Sequence, residues 1–372
     1  MNPFQSSRAC KNVISLSFVE QSAMTERISM LHGAGGSVAA DLIKKMIISR
    51  FSDSRFEVPL EALDDASVVN GIVFKTDSHA VYPLFFPGGD IGRLSICGTV
   101  NDISMIGGIP IALSFGLILE EGLEISVFEK VLNSMKQACE EANVKIVTGD
   151  TKVVEHGSLK QMIINTSGIG TRNPFLDHNL EIVSNFRKSQ AKWLLDSEVR
   201  AGDKIIVSGY VGDHGIAVMS ARQQYGLTID VESDIQPLNH MSERILKIGG
   251  IVAMKDPTRG GLSNSLYEWC EKSGIGIEVD ESKIPIRQSV RSVCEILGIS
   301  ALEIGNEGKA IIAVVPEMAD AVLEALKKTK EGSEAQIIGQ AVSTFGKVVA
   351  KTYVGGRKIL PKPRGDPIPR IC

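Results

Sequence analysis

Apolar positions fall into runs of two periods along this chain. Around 126–142, Val127, Phe128, Val131, Leu132, Met135, Cys139 and Ala142 keep one face of a helix, and Ser126 with Glu129 has the spacing of a capping box. Short β-branched runs alternate with such helices. Ser67-Val68-Val69 and Ile72-Val73-Phe74 flank Asn70-Gly71, a dipeptide suited to a two-residue type I′ hairpin. A helix is expected over Asp90–Ile106, a buried strand over Ile109–Leu119, and strands over Lys145–Thr148 and Met162–Ile169. The theme repeats in the second half. Strands are expected at Lys204–Ser208, Gly276–Val279, Ala310–Val315, Ala335–Ala341 and Gly346–Tyr353. Helices are expected near Gly215–Gln224, Met241–Ile248, Ser263–Ser273, Arg287–Leu297 and Glu317–Lys328.

This alternation predicts two α/β domains, residues 27–172 and 201–355, joined by a partly helical insert at 173–200 anchored by Trp193 and Leu194-Leu195. Residues 1–26 read as an N-terminal extension, and 356–372 as an extended, mobile tail with four prolines in its last twelve residues.

Composition narrows the function. A chain of 372 residues with 43% hydrophobic and 23% charged residues is of ordinary globular make-up. A net charge of -4 argues against general nucleic-acid binding. No apolar run reaches the length of a membrane span, and the first 24 residues lack a secretory core, so a cytoplasmic protein is expected. None of the six cysteines forms a CxxC pair, so a structural zinc site is not indicated. Cys97, Cys139, Cys270 and Cys294 read as core residues, whereas nothing follows Cys372.

Chemistry gathers on carboxylates. Counting outward from the hairpin turn places Asp64 opposite Asp77, with Asp65 beside them. Like charges facing one another repel, and a hard cation such as Mg²⁺ would remove the repulsion. A lone Asp-Asp pair is more simply a solvated strand start. Further carboxylates follow, however: Asp102 on an otherwise apolar helix face, Asp150 in Gly149-Asp150-Thr151-Lys152 after Thr148, and Asp256 before Thr258-Arg259-Gly260-Gly261. The glycines of His32-Gly33-Ala34-Gly35-Gly36 suit either phosphate contact or a flexible turn. Pro87-Gly88-Gly89-Asp90 and Arg259-Gly260-Gly261 enter helices, whose first amides favour anions. In Asp213-His214-Gly215, His214 reads as a phosphate contact or Asp213 as a cap. Glu307 lies on a turn, where a carboxylate is ordinarily solvated; it matters only if that turn faces the tail. Cys372 reads from composition alone as either an incidental terminal thiol or a carrier on an arm that reaches roughly 40 Å when extended.

These motifs together resemble the HypE family of hydrogenase maturation proteins. The resemblance runs from about Ile28 to Cys372 through Asp64-Asp65-Ala66, Thr76-Asp77-Ser78, 83–92, 98–102, 147–154, Gly212–Gly215, 258–262, Asn306-Glu307-Gly308 and the ending Pro369-Arg370-Ile371-Cys372. It implies a two-domain fold like that of aminoimidazole ribonucleotide synthetase. In that fold the N-terminal strands form a β-barrel-like interface across a homodimer, next to a C-terminal α/β domain and an extended tail. It also implies an ATP-dependent carbamoyl dehydratase. A carbamoyltransferase, HypF, loads Cys372, and dehydration leaves a thiocyanate whose cyanide passes to a HypC–HypD complex. By the same resemblance Lys152 and Glu307 join Cys372 in catalysis. Gly33, Gly35, Gly36, Lys75, Asn101, Thr148 and Gly149 face ATP, and Asp64, Asp65, Asp77, Asp102, Asp150 and Asp256 are candidates for Mg²⁺. The N-terminal extension, a long insert and Pro257 depart from the family pattern without touching the acidic cluster.

Overall fold

The computed structural model describes residues 27–222, 229–368 and 371–372. The N-terminal extension, Cys10 and the Pro369-Arg370 pair lie outside these residues, as does the end of the helix expected to reach Gln224.

The described chain opens with α1 (Gly36–Leu42), which runs through a π-helical stretch at 43–48 into α2 (Ser49–Phe51). The hairpin β1 (Ser67–Val69) and β2 (Ile72–His79) follows, with Asn70 and Gly71 at φ 52° and 77°, as a type I′ turn requires. The short strands β3 (Phe85–Phe86) and β4 (Gly89–Asp90) lead into α3 (Ile91–Met105), then β5 (Gly108–Glu120), α4 (Ile125–Glu141), β6 (Lys145–Val154) and β7 (Met162–Arg172). The sheet order is β1-β2-β7-β5-β6, with β6 on an edge. The insert forms α5 (Leu176–Phe186) and buries Trp193 and Leu194.

The second half forms β8 (Lys204–Val207), α6 (Asp213–Ala221), α7 (Asn239–Leu246), β9 (Ile251–Lys255), α8 (Gly261–Ser273), β10 (Gly276–Asp280), α9 (Gln288–Leu297), β11 (Ile311–Val314), α10 (Ala319–Lys327), β12 (Gln336–Val342), β13 (Val348–Lys351) and β14 (Arg357–Ile359). Its sheet order is β14-β13-β10-β12-β8-β11-β9. Helix–strand alternation did not bring parallel sheets with it. Only the β5–β6 and β10–β13 pairs run parallel in the two large sheets, so the helices are crossovers within mainly antiparallel layers.

Three local expectations are corrected. The register Ser67↔Phe74, Val68↔Val73, Val69↔Ile72 is as counted, but β1 begins only at Ser67, so Asp64 never comes opposite Asp77, which instead pairs with Thr166. The helix expected from Ser126 begins at Ile125, with Glu124 at the N-cap position making no side-chain cap, and the Ser126 hydroxyl donates to that glutamate rather than closing a capping box. The strand β9 and the helix at 36–51 were not foreseen. The Ile251–Lys255 run is buried at every position and too short for periodicity to tell strand from helix.

The helix α3 decides where the site forms. Every residue of it except Arg93 is buried. One side packs on β2, β5 and β7, and the other meets α7 and β9 of the second domain. A helix wrapped on all sides has no polar face. A carboxylate on it, Asp102, is therefore carried into the seam between the domains. The seam is apolar as well: Val68, Val73 and Ile103 share one core with Ile206, Met254 and Ile312.

Candidate active site

A cleft of about 390 Å³ opens along that seam. Asp65 comes from the segment before β1, Asp102 from α3 and Asp256 from the residue after β9. One carboxylate oxygen from each lies within 4.8 Å of the others. Lys75 on β2 donates to Asp102 at 2.6 Å, and Lys255 at the end of β9 donates to Asp65 at 2.5 Å. The second oxygen of Asp65 is buried without a hydrogen-bond partner.

Electrostatics follow from this crowding. Burial, only partly offset by Lys75, pushes Asp102 up to about 7. Burial and then the charges of Asp102, Asp65 and Glu307 hold Asp256 well above the carboxylate range. Burial opposes the charge on Lys75, yet Asp102 and Asp77 hold its ammonium above the ordinary range. Three converging carboxylates of raised proton affinity, one with an unsatisfied oxygen, fit a hard divalent cation, which takes oxygen ligands and would relieve their repulsion.

Asp64 is drawn elsewhere. Its carboxylate accepts from the Asp196 N–H at 3.1 Å and from Lys272 at 3.3 Å. Burial and Asp196 raise it to about 6. Asp196, from the insert, also takes Lys272 at 2.6 Å, Lys255 at 3.1 Å and the Trp269 indole N–H at 2.6 Å. Burial works against its ionisation, but the two lysines hold it down at about 2. Asp77 lies across the cleft, 3.7 Å from His79 Nε2. Gly98 on α3 makes that approach possible, because a Cβ there would lie 2.9 Å from the imidazole.

Glu307 and Cys372 line the same cleft, so the turn carrying Glu307 does face the tail. Glu307 is held by its own backbone: its N–H donates to Asp234 at 3.1 Å and its carbonyl accepts from Asn101 at 3.3 Å. Burial, then Asp77 and Asp234, raise its carboxyl well above the usual range. Burial likewise raises the Cys372 thiol, against the pull of Arg259.

The tail, expected to be extended, is seated. The Ser37 N–H donates to the Pro363 carbonyl at 3.0 Å and the Asp366 N–H to the Ala34 carbonyl at 2.8 Å. Gly36, at φ 70°, leaves the Pro363 carbonyl the space that a Cβ would occupy at 2.5 Å. The glycine run thus cradles the tail as well as lining the cleft. The helix amides read as anion sites already hold carboxylates of this chain. Asp90 accepts from the first amides of α3 at 2.7 and 3.3 Å, and Asp366 accepts from the Gly260 N–H before α8 at 3.4 Å.

Of the residues marked in the sequence, Gly33, Gly35, Gly36, Asp64, Asp65, Lys75, Asp77, Asp102, Asp256, Glu307 and Cys372 all border the cleft. Four do not. Thr148, Gly149, Asp150 and Lys152 lie on the exposed edge strand β6, and by strand alternation Thr148, Asp150 and Lys152 share the sheet face turned away from α3. Asn101 is also absent from the cleft. It is fully buried, and its amide takes the Leu238 N–H while donating to the carbonyls of Gln236 and Glu307, so it clips α3 to the second domain. Sequence reading missed Lys255, Asp196 and Lys272. Lys255 adjoins Asp256 but ends a strand that went unrecognised, and Asp196 sat in a segment read as linker.

The fold and the cleft define a two-domain protein related to AIR synthase. Residues 63–172 match the family described as AIR synthase related protein, N-terminal domain, and residues 200–351 match its C-terminal domain. The carbamoyl dehydratase HypE of Escherichia coli K12 is 39% identical over 350 residues, covering 93% of this chain and 99% of that protein. A solved HypE–HypF complex matches with TM-score 0.78 at 40% identity over 87% of this chain and 99% of that one. A solved HypE in complex with ATP matches with TM-score 0.74 at 39% identity over 93% and 100%. The chain belongs to the HypE family of carbamoyl dehydratases of hydrogenase maturation.

Proposed function

We propose that this protein uses ATP to dehydrate a carbamoyl group carried on the sulfur of Cys372, leaving a thiocyanate whose cyanide supplies the iron centre of a [NiFe] hydrogenase. The observation that carries this reading is that Cys372 lies in the same cleft as Glu307 and the Asp65–Asp102–Asp256 cluster.

The carbamoyl oxygen is a poor leaving group until it is phosphorylated. In the first step it forms a bond to the γ-phosphorus, the bond to ADP breaks, and one N–H proton leaves. In the second the C–O bond breaks, phosphate departs, the last N–H proton is lost and the C≡N bond closes. Glu307 suits the proton acceptor, since its carboxyl borders the same cleft as Cys372. Asp65, Asp102 and Asp256 would hold Mg²⁺, which would offset charge on the phosphates. Lys75 adds a fixed cation at the same wall.

Loading belongs elsewhere. Docking in the cleft raises the proton affinity of the thiol, whereas attack requires a thiolate. Cys372 is therefore carbamoylated by HypF with the tail undocked, and the cyanide is then handed to a HypC–HypD complex, all in the cytoplasm. A homodimer would cover the open sheet face, where Ile72, Phe74 and Ile169 are 51%, 47% and 42% exposed. Closing the two sheets into a barrel-like interface would bring the β6 residues Asp150 and Lys152 of one copy toward the other.

The test is the intact mass of the protein after incubation with HypF, carbamoyl phosphate and ATP. A carbamoyl adduct that then loses one water is expected, and Cys372→Ala should bind ATP yet take up no carbamoyl group. A carbamoyl adduct that persists with ATP present, or loading of the alanine variant, would overturn the reading.

A further inference from the structure

Two motifs, Pro87-Gly88-Gly89-Asp90 and Gly212-Asp213-His214-Gly215, have no part in the chemistry above, yet the fold joins both to the end of the chain. His214, near the start of α6, is fully buried. Its Nε2 lies 2.7 Å from the Ile371 carbonyl oxygen and its Nδ1 2.8 Å from Ser233 Oγ. A carbonyl oxygen only accepts, so Nε2 carries the proton. Burial disfavours the charged ring, so Nδ1 is bare and the Ser233 hydroxyl donates to it. Ser233 is fixed in turn: its Oγ accepts from the Ile235 N–H at 3.2 Å and its own N–H donates to the Pro87 carbonyl at 2.8 Å. Gly88 lets that backbone come close, since a Cβ there would sit 2.6 Å from the Ser233 nitrogen. The Phe86 ring meets the imidazole edge-on at 5.5 Å. Ile368 and Ile371 are buried beside Gly215, where a Cβ would stand 3.6 Å from each.

We infer that His214 is a positioning residue for the carrier: Ser233 fixes its tautomer, and its Nε2–H holds the carbonyl of the residue before Cys372, setting how far the thiol enters the cleft. The bond is to main chain, so it serves whatever group the sulfur carries. The Pro87–Gly88 turn thereby links the first domain to the seating of the tail. This inference rests on the reading of Cys372 as a carrier, but docking can be measured without carbamoyl chemistry.

The measurement is the rate at which iodoacetamide alkylates Cys372 in the full-length protein, read by mass on its terminal peptide. His214→Phe keeps the bulk and removes the donor. It should raise the rate about tenfold, the effect on docking of losing one buried hydrogen bond, at an unchanged melting temperature. His214→Gln retains an N–H donor and should stay within about twofold of wild type. With HypF present, His214→Phe should load carbamoyl at least as fast as wild type while converting it to cyanide more slowly, a split that general destabilisation does not produce. Alkylation of His214→Phe at the wild-type rate, or equal exposure in His214→Gln and His214→Phe, would overturn the inference. If His214→Phe fails to fold, Ser233→Ala decides: faster alkylation supports the role and an unchanged rate rejects it. A wild-type chain that HypF cannot load would sink the carrier reading alone, because the alkylation series would still report the seating of the tail.

Discussion

The cleft wall and the edge strand β6 carry the same kinds of residue, and the fold treats them in opposite ways. At the wall, Asp65, Asp102 and Asp256 converge inside the protein, and burial raises the proton affinity of each. On β6, Asp150 and Lys152 stand exposed. Glycine, threonine and aspartate next to a strand end thus converge only where a buried scaffold gathers them. On an edge strand they wait for whatever covers that edge.

The contrast can be broken most sharply at the wall. Asp102→Asn preserves shape and removes one carboxylate charge. Magnesium-dependent ATP turnover should fall on the order of 100-fold, and unchanged turnover would remove Asp102 from the site. On β6, Lys152→Ala should also lower turnover. Mixed dimers of Lys152→Ala with Cys372→Ala should regain part of it if β6 serves the cleft of the other copy. No recovery on mixing would place Lys152 with its own cleft or outside the chemistry. Asp196→Ala takes from Lys255 and Lys272 the partner they share, leaving them Asp65 and Asp64, and should cost about 2 kcal/mol in urea unfolding. A loss near zero would show that solvent reaches the network.

The smallest expected effect is a pH dependence. Burial raises Asp366 from 3.8 to about 7. Between those values the folded protein keeps a proton that the unfolded chain has lost, so stability falls as pH rises and levels off above about 7. Asp366→Asn removes this contribution. The stability advantage of wild type over the variant should therefore be larger at low pH and shrink as pH rises toward 7. A gap that does not change with pH would show that Asp366 titrates normally.

Much of this was legible locally. The hairpin register, the span of α3 and nearly all the helices of the second half follow from periodicity and turn chemistry, because those depend on near neighbours in sequence. Asp102 was conspicuous as a carboxylate on an apolar helix face. Asn101 beside it was read as a nucleotide contact, yet it joins three backbone groups of the second domain that no local pattern announces. Asp64 and Asp65 are adjacent and alike, and only the positions of Lys272 and Asp196 send the first into an ion-pair network and leave the second at the cluster.

By itself, then, the sequence determined most of the elements, the membership of the HypE family, the set of acidic and glycine motifs and the presence of Cys372. Tertiary structure alone decided which carboxylates meet, that β6 faces outward, and that His214 receives the end of the chain. The reason is physical. Element formation is governed by contacts a few residues apart, while burial, charge pairing and the seat of the tail join residues more than a hundred positions apart, and only the packed seam between the two domains brings them together.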